Sequence, residues 1–394
     1  MTSGWARSAL TLGSAGLLTV GLVACSGDEA SADTVKIGWE IPLSGTYESV
    51  GVDFDNALQL YLDTHDNKLG GREVEIFKAD ETETPGDSLK EAERLIGREG
   101  VDAMMGILSS GAFEAIAPYA QEQGVPIVSP GGRPELDADA LDGLWHTSSI
   151  NRHGGEAVAS YIKENVDGPV YVIGPDYAGG KAKLIGFVEK FAELGGEFAN
   201  PDGQQTLTPF PSTTDFTPYF NEIANSGAKA IFTFYGGSGA IDFVQQYAES
   251  DAADIPLYGL NITEGALLQE QGEAAEGVFC PSNYSVDLDN PANREFVSEW
   301  TAADLPGLPD LYASSAWDAA QVLDMAIGSI PAGEEITSEK INDAIGELGE
   351  ITAPRGNWQF DPATHAPIQP WYLREVRLDG GELANVVVTE LGTL

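Results

Sequence analysis

The sequence predicts an α/β protein with two doubly wound lobes. Short apolar runs alternate with longer segments of helical periodicity, and this alternation starts again after a spacer near residue 150. The chain, 394 residues long, also exceeds the size of one ordinary hydrophobic core. Two successive sets of β-α units therefore indicate two lobes of the Rossmann-like type.

The first set of elements lies between residues 35 and 129. Residues 101–108 are apolar at nearly every position, which is typical of a parallel strand covered on both faces. The sequence predicts strands at 35–42, 73–79, 101–108 and 125–129, and helices at 53–65, 87–99 and 113–123.

The second set follows the spacer, and the chain then ends less regularly. Helices are predicted at 156–165, 181–194, 217–226, 240–250, 293–303, 312–330 and 338–348, and strands at 169–174, 230–235 and 256–260. Strand-like runs fill 356–388.

The N-terminus reads as an export signal. Arg7 precedes an apolar run over 10–23, and Leu22-Val23-Ala24-Cys25 resembles a bacterial lipobox. We therefore expect residues 1–24 to be a lipoprotein signal peptide, Cys25 to carry lipid at the membrane surface outside the cytoplasm, and 25–33 to form a tether. If Cys25 is lipidated, Cys280 has no partner for an internal disulfide. The alternative is an ordinary signal peptide with a chance cysteine.

Composition narrows the classes of partner and chemistry. The chain carries 20 Lys and Arg against 62 Asp and Glu, a formal charge of −42, which disfavours nucleic acid and anionic lipid surfaces. None of the four histidines belongs to a recognisable motif, and no nucleophile elbow, phosphate loop or zinc spacing is present. We therefore expect that the protein is not an enzyme and that it binds neither a cofactor nor a metal ion.

The loops after the predicted strands share one chemistry. Open α/β sheets bind ligands at the carboxyl ends of their strands, and there the chain offers hydroxyls, glycines and helix N-termini. This combination favours a small anionic group such as a carboxylate. The loops are Ser109-Ser110-Gly111, Ser129-Pro130-Gly131-Gly132-Arg133, Gly174 to Gly180, and Tyr235-Gly236-Gly237-Ser238-Gly239.

Over residues 34 to 390 the chain resembles the leucine/isoleucine/valine-binding family of solute receptors that serve ABC importers. The stretches that carry the resemblance are Val35-Lys36-Ile37-Gly38, Pro42-Leu43-Ser44-Gly45, Gly70-Gly71-Arg72, Gly124-Val125-Pro126-Ile127 with Ser129-Pro130, Glu276-Gly277-Val278 and Trp317-Asp318-Ala319-Ala320.

The resemblance implies two lobes joined by three crossovers, with a ligand cleft between them that closes by a hinge. It places 34–149 plus 284–352 in lobe 1, and 150–283 plus 353–394 in lobe 2. The implied function is an extracytoplasmic, monomeric, lipid-anchored receptor that captures a small amino acid of the branched-chain type, or a related carboxylate, for an ABC permease. The alternative is a ligand sensor that docks on a membrane signalling receptor.

The resemblance also suggests seven ligand-binding residues. Ser110 and Gly131 match positions that hold the ligand head group, and Tyr177 and Tyr312 match tyrosines of the cleft. The chain departs from the pattern at three further positions: Arg133 replaces a threonine, Asn261 falls where a glutamate pairs with the ammonium, and Ser238 replaces an aromatic residue.

These departures bear on the ligand. Glu264, three residues after Asn261, is the candidate to replace the missing ammonium partner, while an arginine fork suits an additional oxyanion. Each position also has a purely structural alternative: Ser110 as a helix cap, Arg133 as a surface partner of Glu135, Tyr312 as a core residue.

Overall fold

The computed structural model describes residues 34–137, 140–379 and 381–394. The predicted signal peptide, the predicted lipid-carrying Cys25 and the predicted tether lie outside the described residues. The strands are β1 (Val35–Ile41), β2 (Lys68–Leu69), β3 (Arg72–Asp80), β4 (Ala103–Gly106), β5 (Ile127–Ser129), β6 (Leu144–His146), β7 (Val170–Pro175), β8 (Thr206–Thr208), β9 (Ala230–Phe234), β10 (Leu257–Leu260), β11 (Phe279–Ser282), β12 (Ile351–Ala353), β13 (Gly356–Phe360), β14 (Pro367–Ile368), β15 (Pro370–Asp379) and β16 (Glu382–Thr393).

Helices connect most of these strands. They are α1 (Glu48–Thr64), α2 (Pro85–Arg94) continued by a π-helical turn (Leu95–Glu99), α3 (Ser110–Gln123), α4 (His153–Asn165), α5 (Ala178–Glu193), α6 (Thr217–Ser226), α7 (Ser238–Ala248), α8 (Ala266–Gln271) continued by a 3₁₀ turn (Gly272–Ala275), α9 (Pro291–Ala302), α10 (Leu311–Ser329) and α11 (Ser338–Gly346). No helix among the described residues is long and apolar enough to cross a membrane.

Two sheets form the framework of the molecule. The first has the order β2-β3-β1-β4-β5-β6 and is parallel except for β2, which pairs antiparallel with β3. The second has the order β16-β15-β11-β10-β9-β7-β8, with an antiparallel edge made by β15 and β16. The predicted α/β class with two doubly wound lobes is confirmed. We call the parts built on these sheets the first lobe and the second lobe.

The helices cover the sheets with apolar faces, as the sequence periodicity requires. In the first lobe α10 and α1 pack against one face of the sheet, with Phe54, Trp317 and Trp300 in the buried cluster. Trp358 and Phe360 belong to the same cluster. The short β12–β13 hairpin thus packs with the first lobe, whereas the predicted boundaries had counted 353–394 with lobe 2. The exact division of the chain stays a prediction.

Three differences from the predicted elements bear on the cleft. Strands β6 and β8, three residues each, were not predicted, because three residues are too few for a periodic signal. Helix α3 begins at Ser110 instead of residue 113. Ser110 therefore lies in the first helical turn, where backbone N–H groups have no partner within the helix.

A buried polar network joins the segments that pass between the lobes. Arg355, before β13, forms an ion pair with Asp318 of α10 through Nε and Oδ2 at 2.6 Å, and both side chains are almost completely buried. The Gln369 Oε1 atom accepts hydrogen bonds from Arg355 and from Asn283. Burial raises the pKa of Asp318 to about 6, although Arg355 opposes the rise. The network holds the segment that carries Arg355 and Gln369 against α10.

Arg355→Leu should destabilise the protein by about 3–5 kcal/mol, because it leaves the Asp318 carboxylate buried without a counter-charge. Replacing both Arg355 and Asp318 by Leu should recover a large part of that loss. The matched control is Lys90→Ala, which breaks a solvent-exposed pair with Asp87 and should change the stability far less than Arg355→Leu does. Urea unfolding measures all three; equal losses for Arg355→Leu and Lys90→Ala would contradict the role given to the network.

Candidate ligand-binding cleft

A small cavity lies where the carboxyl ends of the two sheets face each other. About 460 Å³ of empty space, part of it open to solvent, separates its lining atoms. Both lobes contribute to the wall, which consists of Tyr47, Leu108, Ser109, Ser110, Gly132, Ser148, Asn151, Tyr177, Gly179, Lys183, Phe234, Asn261 and Tyr312. No Asp or Glu is among these residues, although the chain has a formal charge of −42.

Two helix N-termini meet at the cavity, one from each lobe. Ser110 begins α3 and Gly179 lies in the first turn of α5. A Cβ atom added to Gly179 would lie 3.2 Å from the Ser110 Oγ atom, so only a small residue allows this approach. Free N–H groups and the positive ends of two helix dipoles therefore point toward the same space. Such an arrangement favours an anion.

The Ser110 hydroxyl is already oriented by two neighbours. It accepts a hydrogen bond from Asn151 Nδ2 at 2.8 Å and donates to the Gly132 carbonyl oxygen at 3.3 Å. The second bond is long, and a charged acceptor in the cavity would make a stronger one. Asn151, which belongs to the segment joining β6 to α4, thus holds the hydroxyl ready to donate.

Lys183 brings a positive charge to the cavity. Its Nζ atom lies 5.1 Å from the centre of the Phe234 ring, and no ion pair with a described carboxylate engages it. A Cβ atom on Gly132 would lie 3.7 Å from this Nζ atom, which places the ammonium close to the loop that carries Gly132. Burial lowers the pKa of Lys183 to about 8, so the side chain is mostly charged at neutral pH.

Aromatic rings from both lobes form the rest of the wall. The hydroxyl groups of Tyr47 and Tyr177 are 2.9 Å apart and join the two lobes across the cavity. The Phe210 ring packs against Tyr177 with ring centres 4.6 Å apart and stacks on Tyr47 at 6.3 Å. Burial raises the pKa of Tyr47 to about 12, so its hydroxyl is neutral. These side chains provide flat apolar surfaces with polar edges.

Asn261 and Tyr312 form a second polar patch. The Asn261 Nδ2 atom lies 3.4 Å from the Tyr312 hydroxyl oxygen, a long hydrogen bond. Asn261 has φ of +56°, a conformation that asparagine adopts more readily than most residues. The strained turn after β10 thus directs an amide into the cavity.

The predicted site residues fall into two groups. Ser110, Tyr177, Asn261 and Tyr312 line the cavity, and Gly131 precedes the lining residue Gly132. A Cβ atom on Gly131 would lie 2.3 Å from the Ile107 carbonyl oxygen, which explains the glycine by packing. Whether each of them binds a ligand stays a prediction.

The other predicted residues lie elsewhere. Arg133 is 1% exposed, does not line the cavity, and lies near His146 in the segment that joins the lobes. Ser238 is exposed and lines a neighbouring cavity with Phe210; its N–H donates to the Thr46 carbonyl oxygen at 3.3 Å. Glu264 is buried in an ion pair with Arg374 and is absent from the cavity wall. The ammonium role suggested for Glu264 would require that pair to break.

Sequence reasoning passed over Lys183, Asn151, Phe234 and the ring of Tyr47. Lys183 follows the glycine-rich loop of α5, and a rare cation one turn into such a helix was an available signal. No local sequence signal identified Asn151, because its contact with Ser110 depends on how the chain runs between the lobes. Among the described residues, no group of three or more His, Cys, Asp or Glu is placed to hold a metal ion.

Fold and cleft together define a two-lobed α/β solute-binding protein. A family model for periplasmic binding proteins matches residues 34–382, and the chain belongs to this family. The predicted relationship to the leucine/isoleucine/valine-binding receptors is confirmed as well.

The comparisons give relatives with two kinds of ligand. The Leu/Ile/Val-binding protein homolog 6 of Brucella melitensis is 27% identical over 94% of each chain. The structure of an ABC-transporter solute-binding protein from R. palustris in complex with benzoate is 29% identical, with a TM-score of 0.81 over 92% of this chain and 97% of that one. The branched-chain amino acid binding protein LivJ of Streptococcus pneumoniae, in complex with isoleucine, shares the fold at 21% identity, with a TM-score of 0.76 over 90% of this chain and 99% of that one.

Gly237→Ala should separate the lobes locally, because its Cβ would lie 1.9 Å from the Thr46 carbonyl oxygen of the other lobe. We expect hydrogen exchange of the Ser238 amide, which donates to Thr46, to become at least ~10-fold faster, equivalent to 1.4 kcal/mol of local opening.

Gly272→Ala is the control for this variant. Gly272 has almost the same backbone conformation, φ 55° and ψ −141° against 56° and −146°, but nothing lies within 4 Å of its added Cβ. Both variants carry the same backbone strain of about 1–3 kcal/mol. Equal exchange rates at Ser238 in the two variants would show that the lobes do not meet at Thr46.

Proposed function

We propose that this chain is the extracytoplasmic receptor of an ABC importer and that its solute is a small aromatic carboxylate of the benzoate type. The observation that carries the proposal is the wall of the cavity, which combines an unpaired Lys183 ammonium and aromatic rings with the absence of any acidic side chain. The family and the benzoate-bound relative agree with this assignment.

The carboxylate of the solute is assigned to the end of the cavity formed by Ser110 and Lys183. Ser110 offers a hydroxyl already oriented by Asn151, the first turns of α3 and α5 offer N–H groups, and Lys183 offers the charge. Charge-assisted hydrogen bonds of this kind are each worth about 1.5–3 kcal/mol. The solute carboxylate thus gains the most binding free energy at this end of the cavity, where these donors have no comparable acceptor in the free protein.

The aromatic ring of the solute is assigned to the space between Tyr47, Tyr177 and Phe234. Aromatic pairs gain about 0.5–1.5 kcal/mol beyond the burial of their area. The hydroxyl of Tyr312 and the amide of Asn261 leave polar groups for a substituent on the ring. A hydroxyl group on the ring would be accommodated there.

An α-amino acid fits the same cavity less well. Its ammonium group would find no carboxylate in the wall and would share the space with the Lys183 ammonium. Leaving a buried charged donor without an ionic acceptor forgoes about 1.5–3 kcal/mol. Glu81 lines a neighbouring cavity, but its oxygens already accept the Leu108 and Ser109 N–H groups at 2.5 and 2.6 Å. The branched-chain amino acid that the family resemblance suggested is therefore the second choice.

Capture requires no chemical step. The solute would enter between separated lobes and favour the arrangement in which Tyr47 reaches Tyr177 and Thr46 reaches Ser238. The loaded receptor would then dock on its permease. Lipid at Cys25 would hold it at the membrane surface outside the cytoplasm.

Calorimetric titration of the purified protein with benzoate, 4-hydroxybenzoate, leucine, isoleucine and phenylalanine tests the solute class. We expect one of the benzoates to bind at least ~10-fold more tightly than any of the amino acids, because it needs no ammonium partner. Ser110→Ala should weaken that binding by about tenfold, while the protein still folds and unfolds cooperatively. Tighter binding of leucine than of both benzoates would contradict the proposal and return the ammonium to Asn261 or Glu264.

Lys183→Met should weaken benzoate binding by about 10- to 100-fold and abolish the preference for benzoate over benzamide. Because the pKa of Lys183 is about 8, benzoate affinity should also fall above that pH, where the free protein loses the ammonium proton. The control is Lys181→Met on the same helix, whose exposed ammonium pairs with Asp176 at 2.7 Å and does not reach the cavity. Equal effects of the two substitutions would remove Lys183 from the site.

A further inference from the structure

A group of carboxyl side chains lies where the lobes touch outside the ligand cavity. Asp53 of α1 and Asp310, which precedes α10, belong to the first lobe, and they face Gly265 in the loop after β10 of the second lobe. A Cβ atom on Gly265 would lie 2.8 Å from Asp310 Oδ2 and 3.2 Å from Asp53 Oδ2. The two oxygens are therefore at most about 6 Å apart. Contact between the lobes therefore places the Gly265 backbone of the second lobe against the carboxyl groups of Asp53 and Asp310.

Asp310 has one oxygen in use and one without a partner. Its Oδ1 atom accepts hydrogen bonds from the N–H groups of Tyr312 and Ala313 at 2.9 and 2.8 Å and caps α10. Asp310 is only 5% exposed, and its Oδ2 atom is inaccessible to solvent. No described group forms a hydrogen bond with that atom. A buried, unpartnered carboxylate oxygen is costly, and each such case calls for an explanation.

The groups around the two carboxyls do not neutralise them. Glu264 adds a third carboxylate, and Arg374, the one cation among the facing groups, is bound to Glu264 and to Cys280. The remaining facing groups are the neutral hydroxyls of Tyr284 and Tyr312. No set of described His, Cys, Asp or Glu side chains is arranged to hold a metal ion, and the Asp310 Oδ2 atom itself is inaccessible to solvent. A proton is the cation that fits.

We propose that Asp53 and Asp310 share a proton that the protein takes up when its lobes close on the solute, so that capture is coupled to pH. The inference rests on the proposed function insofar as it assumes that solute binding closes the lobes. Burial, with the Glu264 charge as a smaller cause, raises the pKa of Asp53 to about 7, and burial beside Asp53 and Glu264 raises that of Asp310 well above its ordinary value.

The raised pKa values of Asp53 and Asp310 determine how solute affinity changes with pH. In the open form both carboxyls face water and are ionised at neutral pH. In the closed form their pKa values are higher, so the closed form binds more protons and is favoured at low pH. Solute affinity should therefore decrease as the pH rises through about 7, by up to about tenfold per pH unit for one proton.

Calorimetric titration near pH 6, in two buffers that differ in enthalpy of ionisation, counts the protons taken up per benzoate bound. We expect roughly half to one proton more for the unchanged protein than for Asp53→Asn or Asp310→Asn. Asn at 310 still caps α10, so the helix is kept while the charge is removed. Lys183 contributes equally to all three proteins, which is why the difference between them is the readout.

Asp63→Asn is the matched control, because Asp63 lies on the same helix as Asp53, is exposed and bonds only Gln59 within the described structure. It should take up as many protons as the unchanged protein. Equal uptake by the unchanged protein and both test variants would overturn the proposal.

A second measurement needs no solute. A disulfide between Thr46→Cys and Ser238→Cys, whose backbones already touch, would hold the lobes together. Carbon-13 spectra of labelled aspartate, assigned with the two Asn variants, should show a carboxyl at 53 that titrates near pH 7 and a carboxyl at 310 that titrates well above its ordinary range when the disulfide is formed. When the disulfide is reduced, both carboxyls should titrate as ordinary aspartates, at about pH 4. Titration below pH 5 in both states would overturn the proton site. Failure of benzoate to bind, with this titration as expected, would overturn only the proposed solute.

Discussion

The meeting of α3 and α5 at the cavity is the constraint on which the binding cleft depends. Parallel strands end at one edge of their sheet, so the helices that follow begin there, and two facing sheets bring two such edges together. Ser110 and Gly179 mark the contact, where a side chain larger than glycine would crowd the serine hydroxyl. The convergence of two helix N-termini favours an anionic group at this place before any side chain adds to the effect.

The distribution of charge around the cleft follows from the same geometry. A chain with a formal charge of −42 keeps acidic side chains out of the cavity wall and places Lys183 in it. Two acids that lie between the lobes, Asp53 and Asp310, are placed away from this wall, at their contact with Gly265. The region that we propose for the solute anion is thus separate in space from the carboxyl contact that we propose takes up a proton.

Much of the fold could be predicted from the sequence, because long strands and helices carry clear periodicity. The same pattern placed Ser110 and Tyr177 in loops that follow strands, and the family resemblance suggested Asn261 and Tyr312; all four side chains line one cavity. The side chain of Arg133 could not be placed in this way, since only the path of the crossovers buries it near His146. The pairing of Glu264 with Arg374, which are 110 residues apart, is likewise invisible to local patterns. Strands of three residues, such as β6, leave too little periodicity to detect.

A crystal structure of the protein grown with benzoate tests the central claim most directly. The account predicts the carboxylate between the Ser110 hydroxyl and the Lys183 ammonium, with the ring enclosed by Tyr47, Tyr177 and Phe234. A benzoate bound with its ring at Ser110 and its carboxylate at Asn261, or a cleft that retains an amino acid with its ammonium on a carboxylate, would contradict it.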